Sequence, residues 1–198
     1  GVGLLRTEFI VTNAVGVHPM ALAHPERVTD AADREAIDAR IREAGGDPRD
    51  PAAHAEYLIE LLAFGVGRIA AAMHPRPVIV RFSDFKSNEY RHLLGGRDFE
   101  ESEENPMIGF RGASRYGDAE RYRDGFALEC AAIDRVRRDM GLDNVKVMIP
   151  FCRTLGEADG VLATMKACGL PRGGDGLEVY VMCEIPSNAL LAAEFAER

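Results

Sequence analysis

Apolar positions in this chain follow two rhythms. Short unbroken runs, VGLLR (2–6), PVIVR (77–81), MIGFR (107–111), VKVMIPFCR (145–153) and LEVYVMCE (177–184), alternate with longer stretches in which apolar residues recur every third or fourth position. Runs of the first kind suit the strands of a parallel sheet covered on both faces, because neither face can then be polar. The second rhythm is the stripe of an amphipathic helix.

The helical stretches carry their own end signals. Asp50-Pro51 supplies an N-cap followed by proline in the first turn, ahead of Leu58, Leu61, Leu62, Val66, Ile69, Ala70 and Met73. Phe126, Cys130, Ile133, Val136 and Met140 make the next stripe, with Gly141 suited to a left-handed stop. Thr154 and Glu157 have capping-box spacing before Val161, Leu162 and Met165, and Gly169 closes that helix. A further helix is predicted to start near Pro186.

Strand-helix alternation leaves a doubly wound sheet or a (β/α)₈ barrel. The first strand, GVGLLR, lacks the G-x-G-x-x-G that the dinucleotide-binding form of the first would carry. Barrels place functional residues at the carboxyl ends of several strands, and the five runs end in Arg6, Arg81, Arg111, Arg153 and Glu184. The pattern therefore predicts an α/β fold of the (β/α)₈ TIM-barrel type. It is truncated to about the first five strand-helix units, since a complete barrel needs about 250 residues and this chain has 198.

Composition narrows the function. A net charge of −8 argues against a nucleic-acid surface, which would show a basic face, although a local arginine cluster can still bind a small anion. Cys130, Cys152, Cys168 and Cys183 form no CxxC pair, which suggests reduced thiols and a cytoplasmic protein. His18, His24 and His74 each adjoin a proline, as loop residues often do. FIVTNAVGVHPMALAHP (9–25) is no membrane span, and no signal peptide opens the chain. The acidic stretch RDFEESEEN (97–105) reads as a solvated loop, its acids being consecutive rather than arranged around a cavity.

Arginines converging from separate strands into one mouth make an anion clamp, because the guanidinium fork holds phosphate or carboxylate through two bonds at once. Glu184, set in the apolar VYVMCEIPSNAL, is a candidate magnesium ligand, magnesium commonly being held by one or two carboxylates plus substrate oxygens. A plainer reading stands beside each residue. An arginine after a strand is also what a surface or salt-bridged residue looks like, and for Arg153, directly before the capping residues, that reading is preferred. For Arg6 and Arg81 the two readings are level. Glu8, Asp84 and Glu89 are expected to pair with neighbouring basic residues, Lys86 to be solvated, and Cys183, by strand alternation, to pack in the core.

Together, GVGLLRTEF, RPVIVRFSDFKSNEY, ENPMIGFRGASRY, VKVMIPFCRT and VYVMCEIPSNALL, in this order, resemble the phosphoenolpyruvate-binding barrel of the PEP-utilising enzymes over essentially the whole chain. The resemblance implies that residues 1–198 are the first part of a pyruvate/phosphoenolpyruvate-binding domain. It implies that Arg6, Arg81 and Arg111 bind substrate, that Glu184 binds substrate and magnesium, and that the cofactor is Mg²⁺. In that family a phosphohistidine on a mobile domain, charged from ATP, passes its phosphoryl group to pyruvate enolate, and a cysteine handles the methyl proton. The combination of SDFKSNEY with NPMIGFRG is most like the branch that yields phosphoenolpyruvate, AMP and phosphate from ATP, pyruvate and water.

The same resemblance implies partners: the phosphohistidine and nucleotide-binding domains of a longer parent. The catalytic cysteine, the phosphohistidine and the family's second metal ligand have no counterpart here, so this stretch is expected to be inactive alone and, as an open sheet, either to be poorly stable or to self-associate. Other readings are a branch with phosphate or a sugar-transport protein as acceptor, a magnesium-dependent carbon–carbon lyase barrel, and a binding module that kept the fold without the chemistry.

Overall fold

The computed structural model describes residues 1–198. Strand β1 (Val2–Arg6) runs into α1 (Thr7–Ile10), which continues as a π-helical turn over Val11–Val15. Then come α2 (Pro19–Ala23), α3 (Ala31–Glu43) and α4 (Pro51–Met73). The middle of the chain forms β2 (Val78–Arg81), α5 (Ser87–Arg91), α6 (Ala113–Tyr116) and α7 (Arg123–Arg138). It ends in β3 (Val145–Ile149), α8 (Leu155–Ala167), β4 (Val179–Val181), α9 (Pro186–Leu190) and α10 (Ala192–Ala196).

The four strands form one open, all-parallel sheet in chain order, each joined to the next by a helical crossover. This is the barrel-type α/β arrangement expected, with four strands instead of five. The run Met107–Arg111 is a loop between α5 and α6. Its carbonyls at Ile108, Gly109 and Arg111 accept from the Arg153 guanidinium rather than from a neighbouring strand. Pro106, Gly109 and Gly112 leave too short a stretch for a ladder.

Burial follows position in the sheet. β2 and β3 have buried residues at alternate positions or better, whereas the edge strands leave Leu4 and Tyr180 exposed. One apolar core joins the sheet to the helices, with α4 packed on α7 and α2 against both. Phe126, Cys130, Ile133 and Val136 of α7 lie in it as the period predicts, while Met140, past the helix end, is exposed. Asp50 caps α4 through Ala52 N–H, and Gly141 and Gly169 take positive φ at the ends they were expected to close. Thr154 accepts from Glu157 N–H, but the Glu157 carboxylate reaches back to Arg153 N–H, one residue before the cap.

Three local expectations are corrected. His18 is fully buried: it caps α2 by accepting Met20 N–H at Nδ1 and contacts Glu100 through Nε2 at 3.0 Å. The acidic stretch is not wholly solvated, because Glu100 is buried against Arg115 and Glu103 accepts from Ser87 and from Phe110 N–H. Cys183 is exposed instead of packed, since β4 ends at Val181 on an open edge of the sheet.

Candidate functional site

Strand register brings the site together. Arg6 lies opposite Arg81 across the β1–β2 ladder, and Arg81 opposite Met148 of β3, so the carboxyl ends are level. Thr7 Oγ1 ties the two ends further by donating to the Arg81 carbonyl. Over this edge opens a cleft of about 390 Å³ lined by Arg6, Glu8, Arg81, Asp84, Lys86 and Arg111, among others. With Glu89, that makes four cations against three carboxylates.

Arg81 is held on two sides. Its Nη2 donates to Glu8 Oε1 at 2.8 Å and its Nη1 lies 3.3 Å from Asp84 Oδ2. Glu8 Oε1 also accepts Asp84 N–H at 2.7 Å, so one carboxylate fixes both the guanidinium and the loop beyond it. A buried guanidinium needs such partners to offset its desolvation. Two polar atoms buried here have none: Arg81 Nε and Glu8 Oε2. Arg6 is exposed and makes no ion pair, and Lys86 pairs with Glu89 at 3.3 Å on the rim instead of standing free in solvent.

Arg111 reaches the cleft from the loop. Its Nε and Nη2 grip Asp84 at 2.7 and 2.9 Å, and the hydrogen bonds to Asp84 push the guanidinium pKa still higher. Gly112 makes this approach possible. Its φ is +62°, and a Cβ there would sit 2.5 Å from the Pro150 carbonyl oxygen. The Arg111 guanidinium in turn lies 4.3 Å over the Phe151 ring. Phe151 has φ +48°, a strained setting for an aromatic residue, and its N–H donates to Glu184 Oε1 at 2.7 Å.

Of the residues singled out from sequence, Arg6, Arg81 and Arg111 share the cleft. Glu184 stands outside its lining, beyond Phe151, and is exposed, in contrast to the apolar setting its sequence neighbours suggested. Arg153 lies outside the cleft lining and braces the 108–111 loop through its backbone carbonyls. No cluster of three or more His, Cys, Asp or Glu side chains suited to a metal is assembled. What this stretch offers a hard cation is one carboxylate with one oxygen bonded and the other free, which fits a magnesium ion that takes most of its ligands elsewhere.

Sequence reasoning missed two buried polar groups under the cleft. Arg115 donates to Phe110 O, Ser87 Oγ and both oxygens of Glu100. Glu129 of α7 accepts from Ser83 N–H and Oγ and from Tyr122. Position 129, three residues after Phe126, falls on the apolar stripe, and that was the available signal. For Glu100, one acid among several in a row, there was none.

An open parallel sheet crossed by helices, with arginines level at its carboxyl edge, places the chain among α/β domains of the barrel type, and its relatives give that class a family. The family model for the PEP-binding domain of PEP-utilising enzymes matches residues 1–198, and the chain belongs to that family. It is 54% identical over 198 residues to phosphoenolpyruvate synthase of Synechocystis sp., covering all of this chain and 23% of that protein. It is 50% identical over 197 residues to phosphoenolpyruvate synthase of Escherichia coli, with 24% of that protein covered. With the synthase of Aeropyrum pernix the identity is 44% over 198 residues, 21% of that protein. The chain thus spans about a quarter of the length of the curated relatives it matches. No helix is long and apolar enough to cross a membrane.

Proposed function

We propose that this chain carries the pyruvate/phosphoenolpyruvate site of a phosphoenolpyruvate synthase, the enzyme that uses ATP, pyruvate and water to make phosphoenolpyruvate, AMP and phosphate. The observation that carries the reading is one cleft in which Arg6, Arg81 and Arg111 meet at the carboxyl edge of the sheet. Arg81 and Arg111 are held by Glu8 and Asp84, while Arg6 is uncommitted. The substrate carboxylate takes the free cation, and the incoming phosphoryl group is aligned by the guanidiniums already fixed. Phosphoryl transfer asks little covalent chemistry of the protein, so preset positive charge on the migrating oxygens supplies most of the acceleration. Glu184 is this stretch's ligand to magnesium, which when bound would neutralise phosphoryl and enolate charge.

ATP chemistry and the phosphohistidine belong to other domains of a longer parent, which are this segment's partners. The four free thiols fit a reducing, cytoplasmic setting. The test is pyruvate-dependent formation of AMP and phosphoenolpyruvate by the full-length protein, with water as second acceptor. Pyrophosphate formed in proportion to added phosphate would transfer the chain to the phosphate-using branch. Pyruvate-independent ATP breakdown would remove pyruvate from the cleft.

A further inference from the structure

Glu129 has no part in the chemistry above, yet it is a fully buried carboxylate on the apolar stripe of α7 with no cation in hydrogen-bond contact. A hydrophobic residue would fill this position without any desolvation cost. The carboxylate instead receives three donors. Ser83 N–H donates to Oε2 at 3.0 Å, and Ser83 Oγ and Tyr122 Oη both donate to Oε1, the latter at 2.8 Å. Both groups of Ser83 that can donate are therefore spent on one side chain. The Ser83 carbonyl is held as well, by Tyr116 Oη at 2.8 Å.

Ser83 stands between the last residues of β2 and Asp84. Asp84 is the carboxylate that grips Arg111 through two bonds and flanks Arg81. We propose that Glu129 is a positioning residue for the clamp: through Ser83 it fixes the turn that places Asp84, and so sets where Arg81 and Arg111 present themselves to the substrate. This rests on the cleft being the pyruvate site.

The network has a second property. Burial, the dominant influence, pushes the Glu129 carboxyl up to about 7. When it is ionised, all three donors point inward. When it is protonated, one oxygen carries a hydrogen of its own, and a donor on that side must turn away or become an acceptor. Ser83 N–H cannot reverse, so the adjustment falls on the hydroxyls. The titratable and charged groups around Glu129 include Tyr122 at the start of its own helix, Tyr90 of α5, Tyr116 and Arg115 of α6, Cys130 beside it with Cys168 as its partner, and Glu8 of α1. His18, at the cap of α2, meets the Tyr90 and Tyr122 rings edge-on at 5.0 and 6.1 Å. The three tyrosines and Cys130 are raised well above their ordinary values, chiefly by burial, so none of these four loses a proton near pH 7; burial lowers His18, and the Cys130 contact lowers Cys168 to about 7.

Glutamine at 129 copies the protonated carboxyl in size and charge. The decisive quantity is the ratio of wild-type to Glu129→Gln kcat/KM for pyruvate in the full-length protein, because titrations elsewhere cancel in it. The expected ratio is near one at about pH 6 and about tenfold at about pH 8, the worth of one charge-assisted hydrogen bond. A ratio that is flat with pH, at any value, overturns the proposal, since a merely structural loss has no reason to follow this titration. Should Glu129→Gln not fold, Ser83→Ala removes one donor to the ionised form and is expected to raise the pH midpoint of kcat/KM; an unmoved midpoint counts against the role. Arg81→Ala is measured alongside. If it leaves kcat/KM for pyruvate unchanged, the cleft reading falls and takes this proposal with it. If it abolishes activity while the ratio stays flat, only Glu129 is wrong.

Discussion

Two arginine–carboxylate systems lie close together in this domain and use the same chemistry to opposite ends. Arg115 is completely buried, its donors taken by Glu100, Ser87 and the Phe110 carbonyl, and its guanidinium lies over the Phe110 and Tyr90 rings at 4.5 and 4.6 Å. Glu100 is shared with His18, whose Nδ1 accepts a backbone N–H, leaving Nε2 to donate. Every guanidinium nitrogen of Arg115 is bonded, and the group is sealed from any ligand. In the cleft, Arg81 and Arg111 are held just as firmly by Glu8 and Asp84, yet Arg81 Nε and Glu8 Oε2 remain without partners, and Arg6 beside them is free. A saturated pair is a fastener; a pair with atoms to spare, at a strand end, is what the receptor proposed above requires.

The sharpest break of this comparison is at the fastener. Glu100→Ala leaves the Arg115 charge buried and uncompensated, and is expected to cost about 3–5 kcal/mol of folding stability. Urea denaturation of the full-length protein, followed through the transition of this domain, measures it. A loss well under about 1 kcal/mol, the scale of a surface pair, would erase the distinction between the two systems.

Next comes the receptor. Arg81→Lys keeps the charge but gives up the planar fork. Turnover is expected to fall by roughly thirty- to thousandfold, on the order of 2–4 kcal/mol in the transition state, with a smaller change in pyruvate KM. Lys86→Arg on the rim is expected to be near neutral. Steady-state kinetics on both variants decides the matter: near-native turnover in the first and collapse in the second would put the clamp on the wrong residue.

Arg6 sharpens the contrast further, since it holds nothing in the fold. Arg6→Ala is expected to lower kcat/KM for pyruvate by roughly ten- to a hundredfold, the effect of one hydrogen bond to a charged group. Its melting temperature should stay at the wild-type value. A substantial drop in melting temperature would show that Arg6, too, is a fastener.

The smallest effect is one of pH. Burial, above all, lowers the pKa of His18, so the unfolded chain binds its proton more readily than the folded one. Burial works against the Glu100 charge as well, but bonds from His18 and Arg115 outweigh it and hold that carboxyl below its ordinary value. Both groups therefore act in one direction. Stability from His18 is complete above its unfolded value of about 6.5 and declines as pH falls below it, and that from Glu100 follows as pH falls through the carboxylate range. His18→Gln should abolish the upper part of this decline in a series of melting temperatures from about pH 8 to about pH 5. An unaltered profile would take His18 out of the fastener.

Much of the scaffold was legible in the sequence because its signals are local. Asp50-Pro51, the stripe from Phe126 to Val136, and Gly141 and Gly169 each act within a few residues of themselves, and each has the place it was given. The run MIGFR misled because apolar content alone does not build a strand. It needs a neighbour for its backbone, and Arg153 takes those carbonyls first. Cys183 misled for a related reason, as alternation assumes a covered sheet and β4 lies at an open edge.

By itself, then, the sequence determined that parallel strands alternate with helices and that arginines close the first two, since period and strand end are properties of neighbouring residues. It also determined the family. Tertiary structure decided which charges are buried and what each one meets. Glu8 holds Arg81 across 73 residues, Glu129 holds Ser83 across 46, and Arg115 holds Glu100 across 15. No period marks such pairs, because the cost of burying a charge depends on the partner that folding brings to it, and that partner is set by the whole chain.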